Sequence, residues 1–294
     1  MNKRLLVAGS IALDKRDGPF GSVEEELGGS AVYFALAASL IVPVAVVGPV
    51  GLDAAARVTE ILSSRRVDLT FLQVLPAPTY RWRAHQRAGR NVDLGNSDSI
   101  YDMWDPAVPP GFDGWAFAGS MRPDRQAQVM KLLRGAGLLA ADAMLSYVHS
   151  RPPEAQEVLR EAGWYFCNHE EFDALGGGDP QEFRRRWSLQ GLVVKAGPRG
   201  VTAYTHAGVV AVRPPTNHPV VDTTGAGDAV AGGMLARWLS LDGDPSALED
   251  ALVWGVACAS LTISDIGVRG LSMATRTQLE ERVDEVRECQ CRES

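Results

Sequence analysis

The stretch Val221-Asp222-Thr223-Thr224-Gly225-Ala226-Gly227-Asp228-Ala229-Val230-Ala231-Gly232-Gly233 carries the densest local signal in the chain. An apolar helix, about Ala229 to Leu239, is expected to follow. Gly225 and Gly227 let the backbone bend tightly and keep side chains away from its amides. The first turn of the helix points unpaired N–H groups at a ligand, and the helix dipole adds positive potential. That combination is an anion site. Asp228 stands where the helix begins. A carboxylate there is placed to receive a proton while the amides hold developing negative charge. A glycine-rich turn with an ordinary helix-start acid is the plain structural alternative.

Upstream, short apolar runs alternate with helical patterns. Strands are expected at Leu5–Gly9, Val44–Gly48, Trp115–Gly119, Leu138–Asp142, Trp164–Asn168 and Leu192–Lys195. Helices are expected at about Ser30–Ile41, Ala54–Ser63, Pro123–Arg134 and His169–Leu175. Nearly continuous apolar strands alternating with helices imply a mainly parallel sheet covered on both faces, an α/β architecture. Chemistry in such sheets lies beyond the carboxyl ends of the strands, where Gly9, Asp142, Asn168 and Gly197 fall. The last third reads as helical, at Ala247–Asp265 and Thr277–Arg287.

Two stretches break this rhythm. Ile11–Leu27 is rich in charge and Gly-Pro, and Leu69–Arg90 holds two alternating segments around Pro76-Ala77-Pro78. In Tyr80-Arg81-Trp82-Arg83-Ala84-His85 the aromatic and basic residues take opposite strand faces. A small antiparallel sheet, built from about residues 11–27 and 69–100, is expected to project from one domain spanning 1–294.

Composition removes several classes. Of 294 residues, 46% are hydrophobic and 22% charged, so a disordered chain is excluded. A net charge of −7 argues against nucleic acid, whose phosphates need Lys and Arg. Four scattered cysteines make no disulfide framework and lack zinc-ligand spacing. The uncharged run Leu27–Leu52 is broken by Pro43, Gly48 and Pro49, which argues against a membrane span. No signal-peptide pattern opens the chain, so a cytoplasmic location is expected.

The Asp222–Asp228 string resembles the second signature, D-T-x-G-A-G-D, of the ribokinase or PfkB family of carbohydrate and nucleoside kinases. Other segments are similar in the family's order. Gly28-Gly29 with the following helix, Val46-Val47-Gly48 and Gly51-x-Asp53 resemble its first signature. Asn168-His169-Glu170-Glu171 matches N-x-x-E, and Val193–Gly200 resembles V-x-K-x-G-x-x-G. The likeness runs from Leu5 to about Leu271.

The resemblance implies a three-layer αβα ribokinase-like fold with a β-sheet lid. It also implies ATP and Mg²⁺, and phosphorylation of an alcohol on a sugar or sugar-like molecule. By resemblance, Asp228 is the general base and Gly225, Ala226 and Gly227 form the anion hole. Asn168, Lys195, Gly197 and Gly200 would serve the nucleotide, and Glu171 with Asn168 would order the metal. Asp14, Gly28, Gly29, Tyr33 and Trp82 would bind the acceptor. Glu171 has a second reading as a helix-start acid favoured by the dipole, and Asp14 one as a surface turn acid. His169 and Glu170 suggest either a transition-metal pair or a solvent-facing helix start. Tyr33 stands where ribokinases often carry Asn. With Tyr80 and Trp82 it suits a flat ring, which keeps a nucleoside acceptor open; for Tyr80 and Trp82, lid packing is the alternative. A relative that binds nucleotide without turnover is the other functional alternative. A dinucleotide oxidoreductase is disfavoured, because no G-x-G-x-x-G follows the first strand, and no P-loop is present. An exposed lid sheet also suggests a homodimer.

Overall fold

A computed structural model describes residues 4–87 and 90–291. The first strand, β1 (Leu5–Ala8), lies inside the large sheet. The chain then leaves it for β2 (Ala12–Gly18) and β3 (Gly21–Gly28) and returns as β4 (Val44–Gly51) and β5 (Val67–Leu75). A second excursion gives β6 (Tyr80–Arg87) and β7 (Arg90–Ser97). The rest are β8 (Trp115–Ala118), β9 (Leu138–Asp142), β10 (Trp164–Asn168), β11 (Gly191–Lys195), β12 (Val201–Thr205) and β13 (Gly208–Val212).

Nine strands form the large sheet in the order β13-β12-β11-β10-β9-β8-β1-β4-β5. From β5 to β11 the pairing is parallel, and β12 and β13 close one edge antiparallel. The small sheet has the order β3-β2-β6-β7. It is not wholly antiparallel as expected: β2 and β6 run parallel, because each leaves the large sheet in the same direction. The expected lid boundary also needs correction. Leu69–Leu75 belong to β5, which pairs with β4 in the large sheet.

Alternation along the strands builds a core on each face. Leu5 and Val7 point to one side with Phe117, Phe166 and Val193. Leu6 and Ala8 point to the other. On the first side, helix Ala226–Ser240 lies against helices Ser30–Ser39 and Leu248–Thr262. Glycines set the closeness of that packing. A Cβ at Gly232 would stand 2.5 Å from the carbonyl oxygen of Phe34, and one at Gly255 2.6 Å from that of Val230. Helices Pro123–Leu132 and Pro152–Glu161 cover the opposite face. The three-layer αβα expectation is met. Among the described residues no helix is long and apolar enough to cross a membrane.

Candidate active site

Helix Ala226–Ser240 begins three residues before the expected Ala229. Gly225 caps it at φ 75, a left-handed conformation that favours glycine. Asp228 is therefore inside the first turn. The loop is packed from below. A Cβ on Gly225 would lie 2.2 Å from the ring of Tyr33, and one on Gly227 2.9 Å from Lys195 Nζ.

The carboxyl ends of β9, β10 and β11 bring Asp142, Asn168 and Lys195 to this loop. Lys195 Nζ donates to Asp142 Oδ2 at 2.7 Å, and the Ala143 N–H donates to Asp142 Oδ1 at 2.6 Å. Asn168 and Glu171 cap each other across the start of their helix. The Asn168 N–H donates to Glu171 Oε2 at 2.7 Å, and the Glu171 N–H donates to Asn168 Oδ1 at 2.9 Å. Three acids thus surround one lysine. Burial pushes Asp228 up to about 7, helped by Asp142 and opposed by Lys195. Burial and Asp142 push Glu171 up to about 8, again against Lys195. Burial alone would lower Lys195, but Asp142 and Glu171 outweigh it and hold the ammonium charged.

The lid root supplies the far end. Asp14 on β2 is 2% exposed, so it is no surface turn acid. Burial raises it to about 7; Arg16 opposes the shift, while Asp222 and Glu26 add to it. Arg16 is fully buried and paired with Asp222. Its Nη1 also donates to Thr224 Oγ1 at 2.8 Å, where Asn91 Nδ2 donates at 2.9 Å. Two lid strands therefore grip the residue that precedes Gly225.

One cavity of about 930 Å³ joins these parts. Its wall includes Asp14, Gly29, Tyr33 and Trp82 at one end and Gly197 and Gly200 at the other. Asn168, Glu171, Lys195, Gly225, Ala226, Gly227 and Asp228 lie between. Gly28 is off the wall. Its lack of a side chain makes room for Asp14, whose Oδ2 would stand 2.3 Å from an added Cβ. Tyr33 is a buried floor at 1% exposure rather than a stacking face. The wall also includes Pro214, Pro215, Val220 and Ile263, with Thr216 and His218 among them.

A family model described as pfkB family carbohydrate kinase matches residues 12–276. The chain belongs to that family. It is 32% identical over 167 residues to an ATP-dependent ribose-1-phosphate kinase of Halopiger xanaduensis, covering 56% of this chain and 54% of that protein. To a cytidine kinase of Thermococcus kodakarensis it is 26% identical over 249 residues, covering 80% and 88%. Among solved structures, a Burkholderia thailandensis nucleoside kinase in complex with inosine superposes with a TM-score of 0.78. Identity there is 19%, over 95% of this chain and 97% of that one. A Vibrio cholerae fructokinase in a fructose-, ADP- and calcium-bound form gives 0.75 at 22% identity, over 95% and 98%. These two likenesses establish the fold.

Within this pfkB-family site, Asp142, Arg16, Asn91 and Thr224 were not singled out by their residue types. Asp142 had one usable signal, its place at a strand's carboxyl end. Arg16 and Asn91 had none, since their partners lie more than 130 positions away. His169 and Glu170 are exposed, which fits the solvent-facing reading.

Proposed function

We propose that this pfkB-family protein transfers the γ-phosphoryl group of ATP to a hydroxyl of a sugar or sugar-like small molecule. Asp228 takes the hydroxyl proton as the new O–P bond forms and the bond to ADP breaks. The amides of Gly225, Ala226 and Gly227 hold the charge on the moving group. One observation carries this reading. Asp228 opens a helix behind a left-handed glycine, in the same cavity as buried Asp14 and as the turn Gly197–Gly200. A nucleoside acceptor is the second reading, favoured by Tyr80 and Trp82 on the cavity wall. ADP release with Mg²⁺ and ATP across sugars and nucleosides tests the function; ATP binding with no release for any alcohol overturns it. An ATP-consuming reaction also agrees with the cytoplasmic location expected from the sequence.

A divalent ion fits the charge of this end, where Asp142, Glu171 and Asp228 share Lys195. Among the described residues no three His, Cys, Asp or Glu side chains converge to ligate an ion. Glu171, with Asn168, would hold Mg²⁺ through waters, and the ion would supply charge that offsets the phosphates. Glu171→Gln keeps an oxygen for the Asn168 N–H and so keeps the cap. It is expected to raise the Mg²⁺ needed for half-maximal rate several-fold and to move the melting temperature little. An unshifted magnesium titration would leave Glu171 with the cap alone.

A homodimer through the lid is part of the same proposal. β7 is an edge strand of the small sheet and carries Val92 and Leu94 at 50% and 55% exposure. A monomer mass in analytical ultracentrifugation at assay concentration rejects it.

A further inference from the structure

We infer that Arg16 is a positioning residue that ties the Asp14 carboxyl, at the acceptor end, to the glycine loop, so that one guanidinium serves both ends of the transfer. This rests on the kinase reading above and adds a residue to it. Arg16 lies off the cavity wall, while Asp14 and residues 223–228 lie on it. Strand alternation puts Asp14 and Arg16 on one buried face of β2, with Lys15 exposed between them.

Toward the loop the contacts are direct. The Asp222 carboxylate accepts from Arg16 Nη1, from the Gly267 N–H at 2.9 Å and from the Thr224 N–H at 3.0 Å. The same Nη1 donates to Thr224 Oγ1 at 2.8 Å, and the helix cap Gly225 follows at once. Toward Asp14 the contact is through charge. Arg16 Nε stands 4.0 Å from Asp14 Oδ2, beyond hydrogen-bond reach. Nε and Nη2 are buried and make no hydrogen bond within the protein. Buried donors left unmade cost free energy and are rare, so this arrangement calls for a reason. Held at that distance, the guanidinium favours a charged carboxylate and leaves its oxygens open to hydroxyls. A closer pair would occupy them. The other groups around Asp14 give no such help. Glu26 on β3, Asp222 before the loop and Asp228 in the helix are acids. Tyr33 and Tyr80 keep their protons, because burial raises both. Arg57 at 3.0 Å and Arg269 at 3.9 Å are drawn to Glu26, and Arg16 is the cation that opposes the effect of burial on Asp14.

The test uses the full chain with Mg²⁺, ATP and whichever of ribose, fructose, cytidine and inosine releases ADP fastest. Arg16→Lys keeps a charge, but its ammonium ends short of the place that Nη1 occupies. It is expected to lower kcat by roughly 10- to 100-fold, the scale of a misplaced reacting group, with KM for ATP nearly unchanged. Arg16→Met removes the charge as well, and with it the cation that opposes the rise of Asp14 to about 7. The midpoint of acceptor KM against pH is expected to move alkaline by roughly one unit in Arg16→Met and not in Arg16→Lys. Thr224→Val keeps the side chain's shape and removes the oxygen that Arg16 bonds. Combined with Arg16→Lys, it should lower kcat no further than the larger single effect, since both act through one contact. Unchanged kcat in Arg16→Lys, or losses that multiply in the pair, overturns the inference. So does an unmoved midpoint in Arg16→Met; if that variant does not fold, the other two decide. If the wild type releases no ADP with any acceptor, the kinase reading is what fails. Hydrogen exchange then still decides the tie to the loop. Arg16→Lys is expected to speed exchange roughly tenfold across residues 222–229 and to leave helix Pro123–Leu132, on the far face of the sheet, as in the wild type. Equal rises in both segments, or a rise in neither, overturn it.

Discussion

Replacing Asp228 with asparagine is expected to lower turnover by roughly 10²–10⁴-fold, the scale of a lost general base. The amide keeps the shape and leaves ATP affinity nearly unchanged. The wild-type rate should rise with pH through about 7, where the buried Asp228 loses its proton, and then level. Asp14 and Glu171 also titrate high, so the limb missing from the variant isolates the share of Asp228. Stability runs the other way. A folded pKa raised from 3.8 to about 7 gives stability that is present in acid and lost as pH rises through about 7. Asp228→Asn should therefore raise the melting temperature more at pH 8 than at pH 5. Turnover close to wild type would remove Asp228 from its role.

Gly225→Ala is expected to be the most damaging of the loop variants. Its φ of 75 costs a non-glycine residue roughly 1–2 kcal/mol. The new Cβ would also stand 2.2 Å from the Tyr33 ring, which is fully buried and has nowhere to go. The loop must shift, and its amides with it. Loss of one such donor lowers kcat by about 10²–10³-fold. Gly227→Ala provides the contrast. Its Cβ meets the end of the Lys195 side chain at 2.9 Å. That unbranched chain yields more readily than a buried ring, at the cost of loosening its pair with Asp142. A milder effect is expected there, and a larger loss at Gly227 than at Gly225 would mean that the loop is not held as described.

Residues 5–8, 44–48, 115–118, 138–142, 164–168 and 192–195 were readable as strands because both faces of the parallel sheet are buried. Leu69–Leu75 reads as part of the lid for the opposite reason, although it belongs to the large sheet. It is the edge strand, its outer residues meet solvent, and so it alternates as a lid strand does. The hairpin of β12 and β13 was missed at the other edge, where Gly208, Val209 and Ala211 are exposed. Local glycine chemistry made Gly225, Gly227 and Asp228 legible. Nothing local could reveal that Tyr33 is a floor, or that Gly28 serves Asp14 rather than a ligand. Those facts depend on which side chain arrives from across the molecule.

Arg16 and Asp222 stand 206 positions apart and bury each other's charge. A ribosome makes the chain from its first residue onward, so the strand bearing Arg16 emerges long before its counter-charge. Until Asp222 appears, sealing the guanidinium would bury it without the carboxylate that accepts its hydrogen bond. The base of the lid is therefore completed late in biogenesis, after most of the large sheet has been synthesised. The same delay keeps an unfinished chain from presenting a closed pocket before the glycine loop that lines it has been made.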